Sequence, residues 1–211
     1  METLVVGSAL EWGVATLALG GQTVSGDQHL VRLLPTGSLV AVMDGLGHGQ
    51  DAALAAKIAL ATLEAASDQL SVIALMQRCH EALTQTRGVV MSLALFNQLE
   101  YTMTWLGVGN VAGVLLRTDP ATNPAQENLL LRGGVVGYQL PALSAAVVPV
   151  MPGDLLIFAT DGLNGNFAHG VPVNESPQRL ATRILAQHGK GTDDALVLVA
   201  RWHGKEHGTE S

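Results

Sequence analysis

Cysteine, aromatic residues and basic residues are all scarce in this sequence, and each shortage excludes a class of protein. The single cysteine, Cys79, cannot form an internal disulfide, which argues against a disulfide-stapled secreted domain and suits a reducing compartment. It lies in an amphipathic helical pattern, so we expect a buried side chain and not a nucleophile. Aromatic residues make up only 4% of the chain, which leaves the core to Leu, Val, Ala and Ile.

Charge is also low, and it is mainly negative. Charged residues make up 14% of the chain and hydrophobic residues 48%, so the composition favours a large core over disorder. A net charge of −7 argues against a nucleic-acid-binding surface, which needs clustered Lys and Arg. The same charge suits divalent cations.

Long apolar runs and a secretion signal are missing as well. No apolar run reaches membrane-spanning length, and Glu11 interrupts the N-terminal apolar segment, which no basic residues precede. These absences predict a cytoplasmic protein without a membrane segment. We expect one catalytic domain over residues 1–202, a polar, flexible tail over residues 203–211, and a monomer. Because the first strand is predicted to begin close to Met1, we expect no sensory domain before it.

The apolar runs that are present alternate with turn signals and predict mainly strands. Strands are predicted over residues 3–10, 13–19, 29–34, 38–43, 88–96, 101–108, 111–117, 129–132, 145–150, 154–160 and 195–202. Helical spacing predicts helices over residues 50–66, from an N-cap at Ser71, and over 177–188 with Ser176 as its cap. Because strands and helices come in separate groups, we predict an α+β fold: two stacked antiparallel sheets with helices outside, an αββα sandwich.

Four aspartates stand at the ends of predicted strands. Asp44 and Asp161 each close an apolar run and each precede a glycine, whereas Asp27 and Asp193 each come just before a strand. In antiparallel sheets the end of one strand lies beside the start of its neighbour, so all four can gather at one edge. Crowded carboxylates repel one another unless a cation lies between them. Oxygen ligands favour Mg²⁺ or Mn²⁺ over zinc, so the pattern predicts a site for such ions.

The register of one pair of strands can be worked out. If Leu34 pairs with Gly37 across a two-residue turn, Asp27 falls opposite Asp44. The alternative is that each Asp-Gly step is merely a turn, since both residues are common in turns. Two such steps, each closing an apolar strand and accompanied by two further acids, favour the metal site.

The motifs around these acids occur in the order of a known family. The matching segments are Ser25-Gly26-Asp27, Val42-Met43-Asp44-Gly45-Leu46-Gly47-His48-Gly49, Gly107-Val108-Gly109-Asn110, Ala159-Thr160-Asp161-Gly162 and Gly191-Thr192-Asp193-Asp194-Ala195. In these residues the sequence resembles the PPM-type metal-dependent serine/threonine phosphatases, in their bacterial SpoIIE-like branch. Within that branch, its Asp-Gly-Leu-Gly-His-Gly motif is similar to that of the stressosome phosphatases. The resemblance spans nearly the whole chain.

The resemblance implies the αββα fold, two metal ions and a hydrolytic activity. The ions would be Mn²⁺ or Mg²⁺, with Mn²⁺ favoured, and Asp44 would bridge them with the Gly45 carbonyl as a further ligand. Asp161 and Asp193 would complete one metal, and Asp27 would serve the other. Asp44, Asp161 and Asp193 would act through a metal-activated water that hydrolyses phosphoserine or phosphothreonine. The implied substrates are phosphorylated STAS-domain proteins of a stressosome.

Other positions near the motifs have less definite roles. His48 is a candidate general acid for the leaving hydroxyl, or else caps the following helix or hydrogen-bonds to a ligand. Asp194 is expected to orient Asp193 or cap its strand. Eukaryotic members of the family hold the substrate phosphate with an N-terminal arginine, whereas the first arginine here, Arg32, lies in a predicted strand. For the loop 163–175 the sequence indicates no role.

Two other functions remain as alternatives. Gly45-x-Gly47 follows a strand and precedes a helix, as in a dinucleotide-binding turn, but the third glycine position holds Gln50. The negative charge of Asp44 would also lie beside the pyrophosphate. The second alternative is a non-catalytic member of the same fold that uses the acidic edge to dock a partner.

Overall fold

The computed structural model describes residues 9–19, 24–119 and 121–204, which form two β-sheets and three helices. The strands are β1 (Leu10–Leu17), β2 (Asp27–Leu34), β3 (Gly37–Gly45), β4 (Val89–Asn97), β5 (Thr102–Val108), β6 (Ala112–Leu116), β7 (Gln126–Asn128), β8 (Leu131–Arg132), β9 (Ala146–Pro149), β10 (Leu155–Ala159) and β11 (Ala195–Trp202). The helices are α1 (Gln50–Glu64), α2 (Val72–Leu83) and α3 (Pro177–His188). Most of the strand predicted over 3–10 lies outside the described residues, as does the predicted tail beyond residue 204.

The strands are divided between two sheets. One sheet has the order β1-β11-β10-β6-β7, and the other has the order β2-β3-β4-β5-β8, with β9 also pairing with β5. Every pair between these strands is antiparallel except β5–β8, which is parallel. The prediction of two antiparallel sheets therefore holds apart from this pair.

The alternation of side chains along β3 places its two faces in different apolar layers. Val40 and Val42 lie in the cluster between the two sheets, and Leu39, Ala41 and Met43 pack with α1 and α2. A strand with apolar residues on both faces must be covered on both faces. The apolar run that precedes Asp44 is thus explained by a central strand between a helical layer and a second sheet.

The β11 strand has the same double coverage in the other sheet. Leu196 and Leu198 face the layer between the sheets, whereas Ala195, Val197 and Val199 pack in the cluster that contains α3. Helices therefore cover the outer face of each sheet. The predicted αββα sandwich is confirmed.

Of the strand predicted over 129–132, only the last two residues form a strand, β8, and β7 ends just before the predicted range. β7 pairs with β6 in one sheet and β8 pairs with β5 in the other, so the chain crosses between the sheets at residues 129 and 130. Leu129 is buried in the layer between the sheets at this crossing, and its amide donates to the Gly113 carbonyl over 2.8 Å. The prediction of one continuous strand over 129–132 is wrong because residues 129 and 130 connect the two sheets.

The helix ends agree in part with the predicted caps. The Ser71 hydroxyl accepts a hydrogen bond from the Ala74 amide over 3.2 Å, as an N-cap does. Ser176 makes no such bond, although Pro177 stands at the start of α3 as predicted. None of the helices in the described ranges is long and apolar enough to cross a bilayer.

The layer between the sheets should dominate stability. Phe96 and Trp202 stack there with ring centroids 5.1 Å apart, and both are buried. We expect Phe96→Ala to lower the free energy of unfolding by about 3–5 kcal/mol in urea denaturation, because the substitution leaves a cavity between the sheets. Leu99→Ala is the matched control, since Leu99 is 66% exposed and its loss should matter little. Equal effects of the two substitutions would contradict this packing.

Candidate metal centre

The centre of the site is a pair of aspartates that face each other across two strands. Asp27 on β2 is the direct partner of Asp44 on β3, and Leu34 pairs with Gly37 at the turn. The predicted register is confirmed. Asp27 is buried at 4% exposure and Asp44 is half-buried, so neither charge is fully solvated.

Burial and neighbouring charge make these two carboxyl groups hard to ionise. Burial is the largest cause that raises the pKa of Asp27, to about 7, and that of Asp44, to about 8. Asp161, Asp193 and Asp194 raise both values further by their negative charge. The acids predicted from distant parts of the chain therefore lie within electrostatic range of one another at one edge of the sandwich.

Thr160, at the end of β10, links the two sheets at this edge. Its hydroxyl donates to Asp27 Oδ2 over 2.9 Å and accepts from the Leu196 amide over 2.8 Å. The other carboxyl oxygen, Asp27 Oδ1, is buried and makes no hydrogen bond to the described residues. A buried carboxylate oxygen without a partner fits a position that a cation would occupy.

Both Asp-Gly steps lie where another backbone segment comes too close for a side chain. A Cβ on Gly45 would stand 2.1 Å from the Ala52 carbonyl oxygen of α1. A Cβ on Gly162 would stand 2.0 Å from the Asp194 carbonyl oxygen. The glycines thus let α1 and the segment before β11 approach the ends of β3 and β10, which brings the acids together.

Asp161 is exposed and is held from two sides. The Asn110 amide donates to Asp161 Oδ2 over 2.8 Å, and the Lys190 ammonium donates to the Asp161 carbonyl oxygen over 2.6 Å. The sequence reasoning included Asn110 in a motif without a role, and it did not single out Lys190. Neither contact leaves a local pattern in the sequence, because each joins residues about 30 to 50 positions apart along the chain.

Asp194 has a different role from the one predicted. Its Oδ1 accepts from the Leu19 amide over 2.7 Å and its Oδ2 accepts from the Gly26 amide over 2.6 Å. Its side chain therefore fixes the backbone next to Asp27 and is not bonded to Asp193. Instead, Asp193 Oδ1 accepts from the Asp194 amide over 2.9 Å, and the Asp193 side chain stays exposed.

No hydrogen bond among the described residues joins His48, His80 or Cys79 to these acids. His48 is exposed and makes no hydrogen bond within the described part of the chain, and α1 begins after Gly49 without a side-chain cap. The capping role proposed for His48 is therefore wrong. His80 accepts from the Gly137 amide over 2.9 Å, and burial raises the pKa of the Cys79 thiol to about 12. Cys79 is a core residue, as predicted.

The acids share one edge, but they do not form a closed cage. Within residues 9–19, 24–119 and 121–204, no three His, Cys, Asp or Glu side chains are grouped closely enough to hold an ion as they stand. The donor set, which is all oxygen, fits Mg²⁺ or Mn²⁺, and an ion would have to draw the side chains together.

Two cavities flank the loop 163–175, away from the acids. One, of about 110 Å³, lies between this loop and α3 and includes Phe167 and Ile184 in its lining. The other, of about 280 Å³, lies between the loop and the β6–β7 pair and includes Asn128 and Asn166. Neither of these two cavities is lined by the four predicted aspartates.

Solved structures share this architecture. A chain of a structure described as "The bacterial stressosome: a modular system that has been adapted to control secondary messenger signaling" is 30% identical, with a TM-score of 0.81, over 91% of this chain and 99% of that chain. RsbX in complex with magnesium is 21% identical, with a TM-score of 0.81, over 92% of this chain and 95% of RsbX. The Mycobacterium tuberculosis serine/threonine phosphatase PstP is 16% identical, with a TM-score of 0.70, over 92% and 99% of the two chains. The latter two likenesses show the shared fold.

Sequence comparison assigns the family. No curated protein matches the chain by sequence. Residues 35–203, however, match the family described as Stage II sporulation protein E (SpoIIE), which covers most of the chain and every predicted site residue except Asp27. The chain therefore belongs to the SpoIIE family, within the PPM-type serine/threonine protein phosphatases.

Proposed function

We propose that this phosphatase hydrolyses phosphoserine or phosphothreonine on STAS-domain stressosome proteins, with two Mn²⁺ or Mg²⁺ ions held at the acidic edge. PPM-type phosphatases use divalent metal ions, and the RsbX structure similar to this chain was solved with magnesium. The proposed ligands are Asp27, Asp44, the Gly45 carbonyl, Asp161 and Asp193. Mn²⁺ is our preferred ion.

The observation that carries the proposal is the facing pair Asp27 and Asp44. Like charges directly opposite each other on neighbouring strands destabilise a sheet, so this pair is costly without a cation. Burial, followed by the charges of neighbouring aspartates, raises the pKa of Asp27 to about 7 and that of Asp44 to about 8, so keeping both carboxylates ionised here is costly. Asp27 Oδ1, buried without a partner, adds a specific atom that a cation would satisfy.

Each surrounding residue has a task in this proposal. The Thr160 hydroxyl donates to Asp27 Oδ2, which leaves Asp27 Oδ1 for a metal ion. The Asn110 side-chain amide donates to Asp161 Oδ2 and so holds that carboxylate in place. Asp194 holds the backbone beside Asp27. When bound, the ions supply an acidified water and positive charge for the phosphoryl oxygens. His48, four residues after Asp44, is exposed and remains our candidate for proton donation to the leaving hydroxyl.

The proposed substrates follow from the relatives. The chain that is 30% identical belongs to a stressosome structure, and RsbX shares the fold over nearly its whole length. We propose that the protein is a monomer that acts in the cytoplasm. Its proposed partners there are phosphorylated STAS-domain proteins.

The alternative functions fit less well. The Gly-rich turn between β3 and α1 does join a strand to a helix, but β3 pairs antiparallel with both neighbours. A dinucleotide-binding turn belongs to a parallel βαβ unit, which β3 does not form. A docking role without catalysis does not explain why the buried Asp27 and the half-buried Asp44 face each other on neighbouring strands.

Removing the charge of Asp44 should separate metal chemistry from folding. We expect Asp44→Asn to lower phosphate release from a phosphoserine peptide with Mn²⁺ by about 1,000-fold or more, since metal charge stabilisation contributes several kcal/mol. The same substitution should raise the unfolding free energy of the metal-free protein at pH 8 by about 1–3 kcal/mol, because it removes the cost of burying a charge and the repulsion from neighbouring acids. Asp119→Asn, on the exposed loop after β6, is the control with the same charge change. An active Asp44→Asn protein would contradict the proposal.

The Thr160 hydroxyl should set the affinity for the metal. We expect Thr160→Val to weaken Mn²⁺ binding in isothermal titration by about 10-fold to 100-fold, because groups that orient a ligand matter by that factor. Thr160→Ser should restore most of the affinity. Thr62→Val, which removes a hydroxyl bonded to the Ile58 carbonyl within α1, should leave the affinity unchanged. Unchanged Mn²⁺ affinity in Thr160→Val would show that the hydroxyl does not position a ligand.

Substrate choice can be tested separately from the chemistry. We expect kcat/KM on a folded, phosphorylated STAS-domain protein to exceed that on an unrelated phosphoserine peptide by about 10-fold or more, as about 1.4 kcal/mol of extra contact would give. A peptide with the phosphosite sequence of the same STAS domain is the matched control. Equal values on all three substrates would refute the proposed partner and leave the phosphatase chemistry intact.

A further inference from the structure

Lys190 contacts the Asp161–Gly162 step with both its backbone and its side chain. Its amide donates to the Gly162 carbonyl over 2.9 Å, and its ammonium donates to the Asp161 carbonyl over 2.6 Å. The residue is exposed, in the segment between α3 and β11. Its positive charge is therefore anchored at the acidic edge and faces solvent.

This ammonium is available to a ligand. It has three N–H donors, and only one of them is used within the described part of the chain. It forms no ion pair with any described carboxylate, although the edge carries five aspartates. Arg87, by contrast, lies near Gly47 but pairs with Asp51 over 2.9 Å.

Arg32, the first arginine of the chain, is not available to bind a ligand at the acidic edge. The Arg32 guanidinium donates to the Leu63 and Ala66 carbonyl oxygens over 3.0 and 2.8 Å and pairs with Asp68. All of these partners lie at or just beyond the C-terminal end of α1, at the opposite end of β2 from Asp27. A basic side chain that assists the metal ions in binding phosphate has to lie at the acidic edge, and Arg32 is bonded elsewhere.

We infer that the Lys190 ammonium binds the substrate's phosphoryl oxygens, and the phosphate product, beside Asp161. A phosphate dianion that approaches several carboxylates is repelled, and a basic side chain at the point of entry offsets that repulsion. Only 11 residues of the chain are Lys or Arg. A lysine that has no carboxylate partner among the described residues, and that is bonded to a predicted metal ligand, is therefore a strong candidate for binding an anion. The inference rests on the proposed location of the phosphatase site, and it does not depend on the STAS-domain substrate.

The test compares Lys190→Met with Lys57→Met in the full-length, Mn²⁺-loaded protein. Lys57 is exposed on α1 and gives the same change of charge away from the edge. With a phosphoserine peptide, we expect Lys190→Met to raise KM about 10-fold and to change kcat by less than about 2-fold, as loss of one charged hydrogen bond to bound phosphate predicts. Lys190→Arg should keep most of the affinity, since it keeps the charge.

Direct binding gives a readout that does not depend on turnover. Isothermal titration with inorganic phosphate should show affinity reduced about 10-fold in Lys190→Met and unchanged in Lys57→Met, while Mn²⁺ affinity stays unchanged in both. Equal phosphate affinity in wild type and Lys190→Met would overturn the inference, and so would a loss that follows reduced Mn²⁺ affinity. Failure of the wild-type protein to hydrolyse any phosphopeptide would instead count against the proposed site, so the two failures are distinguishable.

Discussion

Repulsion between carboxylates is the constraint on which the arrangement of this site depends. Asp27 and Asp44 are direct partners on neighbouring strands, and further aspartates act on both from the second sheet. A protein does not hold such groups together for stability, because each added charge raises the cost of ionising the others. The arrangement makes physical sense when positive charge is supplied from outside, which is the basis for reading this edge as a metal centre.

The two-sheet architecture makes this crowding possible. One sheet contributes the Asp27–Asp44 pair, and the other contributes the end of β10 and the start of β11. Thr160 joins them through hydrogen bonds to Asp27 and to the Leu196 amide, so the sheets are registered at the site itself. The glycines after Asp44 and Asp161 allow the backbones to approach within distances that a side chain would prevent.

Much of the fold and of the candidate site could be predicted from the sequence. The features that could not be predicted are contacts between segments far apart along the chain. The facing of Asp27 and Asp44 could be worked out because a two-residue turn allows only one register between β2 and β3. The bounds of β11 and α3 could be predicted because helix-start signals and apolar periodicity are local features of the sequence. The division of β7 from β8, the Asp194 contacts and the Lys190 contacts depend on which distant segments meet. Thr160 offered a weak signal, as the one polar residue in the run 155–160, but its partner lies 133 positions away.

Several of the few basic residues are already bonded within the fold. Arg117 is buried between Asp154 and Glu127, and Arg201 is bonded to Glu11 and to backbone carbonyl groups. Buried guanidinium groups of this kind need their partners, since a charge left unpaired in the interior is costly. They therefore serve the fold, and a phosphate ligand has to be found among exposed cations near the acids. The same scarcity, which argues against a nucleic-acid surface, leaves few basic residues that could bind phosphate, and of these Lys190 is bonded to Asp161, a predicted metal ligand.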